Sequence, residues 1–181
     1  MHIKILPMQK SMLQEVSQIA AMTLGSSFVD ENIFKNDINL CAVIDTKVVG
    51  YITSKFINKE YLKKILKNKK LDLLEASKSI AYIDSIAIHD EYSNKGIGTK
   101  LFKSTILKLI ENNIEFAIMA GWKNGTEINI KALALKEGFK EEFEIKEFWK
   151  EDSLAQNFDC TACGKPPCLC TAVIYTKKLS F

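Results

Sequence analysis

A chain of 181 residues with 47% hydrophobic and 26% charged side chains has the composition of a folded protein, with room for one domain and a substantial core but not for two. A net charge of +3 is too small for a nucleic-acid-binding face, and no apolar run approaches the roughly 20 residues of a membrane span. The first residues, Met1-His-Ile-Lys-Ile-Leu-Pro-Met-Gln-Lys10, lack a signal peptide's apolar core and cleavage site, so the cytoplasm is the expected compartment.

In chain order, residues 2–6 read as a strand and 11–22 as a helix with Leu13, Val16, Ile19 and Ala20 on one face, broken at Gly25-Ser26-Ser27. Asp30 is placed to cap a short helix through Phe34, and residues 40–44 and 48–56 alternate around Asp45-Thr-Lys47 as a hairpin. Residues 57–79 read as helical; their basic stretch, 59–70, interleaves lysines with Leu and Ile as a solvated amphipathic helix does. A strand follows, with Tyr82, Asp84, Ile86 and Ile88 on one face and Ile83, Ser85 and Ala87 on the other. Beyond the turn at residues 90–96 a helix begins, its Leu101, Ile106, Leu107, Leu109 and Ile110 at helical spacing. Residues 115–120 then read as a strand, 126–137 as a helix, 139–149 as an alternating strand and 172–178 as a last strand.

The turn carries the most chemistry. The amides of Ser93-Asn94-Lys95-Gly96-Ile97-Gly98-Thr99 open a helix, where unpaired N–H groups and the helix dipole favour an anion such as pyrophosphate. Gly96 and Gly98 keep side chains out of its way. A Gly pair at a strand-to-helix turn is also ordinary turn chemistry. Two phosphate-binding motifs fail on spacing: the dinucleotide G-x-G-x-x-G lacks its third Gly at Leu101, and a P-loop would need G-K-[ST] where Gly98-Thr99-Lys100 stands.

Ser93-Asn-Lys-Gly-Ile-Gly98 after an apolar strand resembles motif A of the GCN5-related N-acetyltransferase (GNAT) family, [QR]-x-x-G-x-[GA], with Ser93 in place of Gln or Arg. The order strand, Gly-rich turn, helix, strand, helix, Gly138-Phe139, strand extends the likeness over most of the chain. The resemblance implies an α+β fold, a mostly antiparallel sheet of about seven strands flanked by helices, with 57–79 as an insertion that shapes a substrate pocket, makes a homodimer contact or merely decorates the surface. It also implies acetyl-CoA as co-substrate. Ile86 would then offer its N–H to the thioester oxygen, Ala87 and Ile88 would line the pantetheine, and Asn129 would be the helix Asn that touches the cofactor. Asp84 sits where an acid deprotonates the amine, and its alternative is an ordinary strand-end carboxylate. His89, just past the strand, is the weaker candidate for that base. Counting back from Gly138-Phe139 puts Ala134 where relatives carry a Tyr acid, leaving Tyr82, Tyr175 or solvent for that step.

Four of five cysteines fall within eleven residues, Cys160-Thr-Ala-Cys163-Gly-Lys-Pro-Pro-Cys168-Leu-Cys170. A C-x2-C knuckle ending in Gly164 and a Pro166-Pro167 turn can bring four thiolates together, a donor set that favours structural zinc. A redox dithiol and an iron–sulfur site are the alternatives at these residues. The loop at 158–171 lies between the last two strands, beside the acceptor site of the resembled fold, while Cys41 reads as an inert buried thiol. The sequence therefore points to an N-acetyltransferase for a primary amine of a small molecule or protein. Its rivals are a non-catalytic CoA-binding redox or metal sensor and a zinc-knuckle RNA binder, the last without the basic face it needs. The acidic run Glu141-Glu142-Phe143-Glu144 is compatible with a cationic acceptor.

Overall fold

Period-two alternation and tight turns lay down most of the sheet. In the computed structural model, which describes residues 2–25, 29–128 and 130–179, β1 (Ile3–Pro7) pairs with β2 (Ile38–Ile44), and Asp45 at φ 55° turns β2 into β3 (Lys47–Ile57). β4 (Ile80–Ile88), β5 (Phe116–Asn124), β7 (Lys140–Ile145) and β8 (Thr171–Lys178) complete seven strands in the order β1-β2-β3-β4-β5-β8-β7, and the two-residue β6 (Glu127–Ile128) pairs with β5 off that path. All neighbours are antiparallel except β4 and β5. This is the mixed α+β architecture expected, with one extra ribbon.

One face of the sheet is covered by α4 (Ile97–Glu111), whose Leu101, Phe102 and Leu109 pack on Leu40, Ile52, Ala81 and Ile83. The other face is covered in two parts. α1 (Leu13–Thr23) buries Val16, Ile19 and Ala20 against Cys41, Val43, Tyr51 and Ala87. The insertion, α2 (Lys59–Ile65) and α3 (Asp72–Ala76), buries Leu62, Leu66 and Leu74 with Ile80, Tyr82, Ile118 and Ile174. Each of those leucines contributes about 2 kcal/mol of burial, so the insertion is a core element and not decoration. Lys59 Nζ clips its end by donating to the carbonyls of Leu74 and Ser77 at 2.6 and 2.5 Å.

Two expected elements are shorter than their pattern. Gly125 at φ 58° folds Glu127–Ile128 back onto β5, so the helix expected over 126–137 is confined to α5 (Lys131–Lys136). The strand expected over 139–149 stops at Ile145; Glu147 takes φ 53°, and α6 (Lys150–Gln156) follows with Glu151 and Asp152 in its first turn, where the helix dipole favours them. No helix among the described residues is long and apolar enough to cross a membrane.

Candidate active site

The site begins with one extra residue. On β4, Ser85 faces Thr53 and Ile83 faces Ser54, which leaves Asp84 unpaired as a β-bulge. The parallel pairing of β4 with β5 runs from Ile80 and Phe116 only to Ile83 and Met119, where the bulge begins. Past that point the strands part around a cleft of about 710 Å³, with Ile86, Ala87 and Ile88 on one wall and Ala120, Gly121 and Trp122 on the other. His89 N–H donates to Val49 across the β3 side, so by antiparallel alternation the N–H groups of Ile86 and Ile88 turn away from β3 and toward the cleft.

The bulge also corrects the facing read from the sequence. Ile86 and Ile88 pack with Ile83 on the α4 side, whereas Asp84 stays on the Tyr82 side. There its Oδ1 lies 3.3 Å from Lys55 Nζ, and Lys55 is the β3 residue opposite Tyr82. Two positions on, Thr53 Oγ1 and Ser85 Oγ are 3.3 Å apart. Asp84 and Ser85 both line the cleft.

At one end of the cleft, Ser93, Asn94, Gly96, Ile97, Gly98 and Thr99 form the Gly-rich turn. Gly96, at φ 76°, precedes α4; Lys100 N–H reaches the Gly96 carbonyl, so the N–H groups of Ile97, Gly98 and Thr99 have no acceptor within the helix. A Cβ on Gly96 would meet nothing within 4 Å. Lys95 does not line the cleft; its Nζ donates to Glu91 O at 2.7 Å and sits over the Tyr92 ring. His89 Nδ1 accepts from Glu91 N–H and its ring meets Tyr92 edge-on.

Neither tyrosine put forward as an acid lines the cleft. Tyr82 is buried among the insertion's side chains, and burial drives its pKa up. Tyr175, on β8, lies in the α4-side core; its hydroxyl donates to Glu141 at 3.1 Å, and burial together with that carboxylate drives its pKa up as well. Both are poor proton donors where they stand, and Ala134 is fully buried. Asn129 lies outside the described residues.

The cysteine loop also borders the cleft. The Sγ atoms of Cys160, Cys163, Cys168 and Cys170 all lie within 4.8 Å of one another. Tetrahedral zinc with Zn–S bonds of about 2.3 Å places its sulfurs about 3.8 Å apart, so the four thiols fit such an ion. Cys160 and Gly164 exchange backbone hydrogen bonds at 2.8 Å each, with Gly164 at φ 77°, and Ser153 of α6 accepts the Cys168 N–H at 2.9 Å. Desolvation opposes charge on Cys163, but the Leu169 N–H and the adjacent thiols outweigh it and hold its pKa below the usual thiol value. Burial pushes Cys168 up to about 11 and Cys41, remote from the cluster in the α1 core, up to about 12. Trp122 and Trp149 pack against the buried sulfurs.

Cys160, Cys168, Phe158 and both tryptophans line the cleft, making the loop one of its walls. It is docked on the end of α1: Thr161 N–H donates to Leu24 O at 3.3 Å, and a Cβ on Gly25 would lie 1.7 Å from the Asp159 carbonyl oxygen. Sequence reasoning missed Lys55, Gly25 and the two tryptophans. The tryptophans carried a usable signal, since the chain has just two and one precedes the final helix by a single residue.

The sequence profile of the acetyltransferase (GNAT) family matches residues 7–139. A sequence search among curated proteins finds no match. Among solved structures, the ribosomal-protein-S18-alanine N-acetyltransferase from Escherichia coli is similar at 17% identity and TM-score 0.61, with 99% of this chain and 96% of that one covered. A GNAT acetyltransferase from Elizabethkingia anophelis with acetyl-CoA bound has 16% identity and TM-score 0.65, covering 98% of each. Arabidopsis thaliana Naa50 in complex with the bisubstrate analogue CoA-Ac-MVNAL has 14% identity and TM-score 0.65, covering 99% of each. With a split sheet, a Gly-rich turn at its mouth and a family match over most of its length, the chain belongs to the acetyltransferase (GNAT) family, enzymes that transfer an acetyl group from acetyl-CoA to an amine.

Proposed function

We propose that this is a single-domain cytoplasmic N-acetyltransferase in which the amides of residues 94–99, with Ser93, bind the pyrophosphate of acetyl-CoA, while Ile86 N–H polarises the thioester and Ala87 and Ile88 take the pantetheine along the open edge of β4. The parting of β4 from β5 beside the free amides of α4 carries this reading. The acceptor nitrogen's lone pair forms a bond to the acetyl carbon, the C–S bond breaks, and CoA leaves as a thiolate. Asp84 takes the proton from nitrogen, directly or through water, and solvent protonates the thiolate, because neither Tyr82 nor Tyr175 reaches the cleft. The cytoplasm supplies both acetyl-CoA and the reducing conditions that free thiols require.

In the same reading Cys160, Cys163, Cys168 and Cys170 hold a structural zinc that orders the acceptor-side wall; four thiolates leave no open position for catalysis. The acceptor is a primary amine. One structural relative is named for acetylating the alanine of a ribosomal protein and another is in complex with a CoA-Ac-MVNAL analogue, which supports testing peptide amino termini beside small amines. The test is acetyl-CoA turnover against such a panel, read by CoA release and product mass. A second reading, a non-catalytic CoA-binding metal or redox sensor, is favoured by Ala134 in the acid's place and by thiols that line the cleft. It predicts tight acetyl-CoA binding with no product from any amine.

A further inference from the structure

We infer that Trp122 and Trp149 form the specificity pocket for the acceptor, so that the amine acetylated here carries a bulky apolar group, aromatic or branched aliphatic, next to its nitrogen. The inference rests on the acetyl-transfer reading and names the substrate class within it.

Both tryptophans stand on the side of the sheet that carries Asp84. On β5, Ile118 and Ala120 pack with the insertion's core while Ala117 and Met119 pack on the α4 side, so Trp122, next in the Ile118 series, shares the face of Tyr82 and Asp84. Trp149 packs on that same core and on the buried sulfurs, and the Phe148 ring meets it edge-on with centroids 4.8 Å apart. Counted from the Tyr82–Ile118 pair, Asp84 lies two residues along β4 and Trp122 four along the parallel β5, an offset of about 7 Å at ordinary strand rise. A nitrogen held at Asp84 thus places its substituent about one side chain away, against the indoles. The Gly-rich turn is on the other side, where α4 covers the sheet and Ile86 and Ile88 pack. The backbone fixes the pocket in advance: Trp122 pairs with Ala172 of β8, and the Trp149 carbonyl accepts Ser153 N–H at 2.8 Å as α6 begins. Both indoles are half-buried and line the cleft together with Phe158, so apolar surface there is still wet and open to burial by a ligand.

The charges argue against a second cation on the acceptor. Glu141 pairs with Lys131 at 3.1 Å and accepts the Tyr175 hydroxyl, Glu142 pairs with Lys140 at 2.8 Å, and Glu144 pairs with Lys123. None of the three lines the cleft. Among the described residues the carboxylates that do are Asp84 and Asp90, and Asp90 belongs to the turn before α4. An ammonium beyond the reacting nitrogen would meet indole faces, which attract a cation weakly where water still reaches it, and would find no carboxylate. An apolar group displaces water from the same faces and leaves no charge unpaired.

The chain has two tryptophans and both line this cleft, so the test has a readout besides turnover. Phenylalaninamide, leucinamide, glycinamide and lysinamide are compared as acceptors, together with peptides that differ only in beginning with the same four residues. Tryptophan emission of the protein in the presence of CoA is recorded with each. The Phe and Leu acceptors should show kcat/KM about tenfold or more above glycine, carried mainly by KM, with lysine no better than glycine. The Phe compounds should also change the emission at concentrations where the glycine compounds do not. The amide and peptide arms tell a small amine from a peptide terminus. Trp149→Ala should bring the Phe-to-Gly ratio to within about threefold, and Trp149→Phe should keep most of it, both variants being checked for wild-type thermal melting. Should Trp149→Ala fail to fold, the wild-type ratio decides. A ratio near one, or a preference for lysine, overturns the inference while the product formed leaves the acetyl-transfer reading standing. A Phe-specific emission change with no product from any amine keeps the pocket and sinks the transfer, and silence in both assays sinks both.

Discussion

Replacing Gly96 separates what the turn contributes to folding from what it contributes to binding. The residue sits at φ 76° with open space where a Cβ would go, so Gly96→Ala meets no neighbour and costs only the left-handed backbone conformation, about 1–2 kcal/mol. For a chain of this size that lowers Tm by roughly 2–8 °C. Gly96→Glu carries the same backbone cost and adds a carboxylate beside the N–H groups of Ile97, Gly98 and Thr99. Two or more charge-assisted hydrogen bonds to the cofactor phosphate, about 1.5–3 kcal/mol each, would be displaced, and the two anions would repel. Acetyl-CoA affinity should fall by about three orders of magnitude in Gly96→Glu and by tenfold or less in Gly96→Ala, while both variants melt within a few degrees of each other. Isothermal calorimetry and thermal denaturation on the same preparations give both numbers. Equal affinity of Gly96→Glu and wild type would place the phosphates elsewhere and refute the argument.

Asp84→Asn keeps the shape at the bulge and removes proton acceptance, so the rate constant for amine acetylation should drop about 10²-fold with acetyl-CoA affinity nearly intact; an unchanged pH–rate profile would assign the base to another group. Cys163→Ser, or a chelator, should lower zinc from one equivalent by elemental analysis and impair acceptor KM more than cofactor affinity, with Trp122 and Trp149 reporting the loss as a fluorescence change because both pack on the cluster. Less than about half an equivalent of zinc in protein purified without added metal, with four thiols titrating freely, favours the sensor reading instead. Gly25→Ala drives a Cβ into the Asp159 backbone and should cost about 2–4 kcal/mol and weaken acceptor recognition by prising the cysteine loop from α1; a melting temperature within a degree of wild type would show that the two do not dock as described.

Much of the sheet was legible because its signals are local. Alternation at 40–44 and 48–56, the Asp30 cap, which accepts Asn32 N–H at 2.8 Å, and the period change after Ile88 each report the backbone within a few residues. The cysteine spacing was equally direct, since C-x2-C with a following glycine closes on itself through the Cys160–Gly164 bridge. The bulge at Asp84 was not legible. It depends on the register of β3 against β4, residues about thirty apart in sequence, and a strand written with strict period two places Ile86 on the wrong face. Lys55 was hidden for the same reason. The insertion's role as a core cover depends on which half of the sheet face α1 leaves bare, which no periodicity records.

The same long-range feature distinguishes Asp84, the proposed proton acceptor, from the other positions along β4. A bulge lets two successive residues, Asp84 and Ser85, face one side while Thr53 alone opposes them. It increases local twist at the point where the parallel partner β5 departs, so the polar backbone of Ile86 and Ile88 is left for another molecule to pair. A regular strand in this position would have two faults. It would continue pairing with β5 and close the cleft, and it would turn Ile86 toward the insertion's side chains, away from the α4 core in which it now packs. Deleting Ser85 would remove the bulge while leaving Ile86 on the α4 side, so it isolates the backbone's part: acetyl-CoA affinity measured by calorimetry should be lost, and an unchanged affinity would show that the proposed site does not need the bulge.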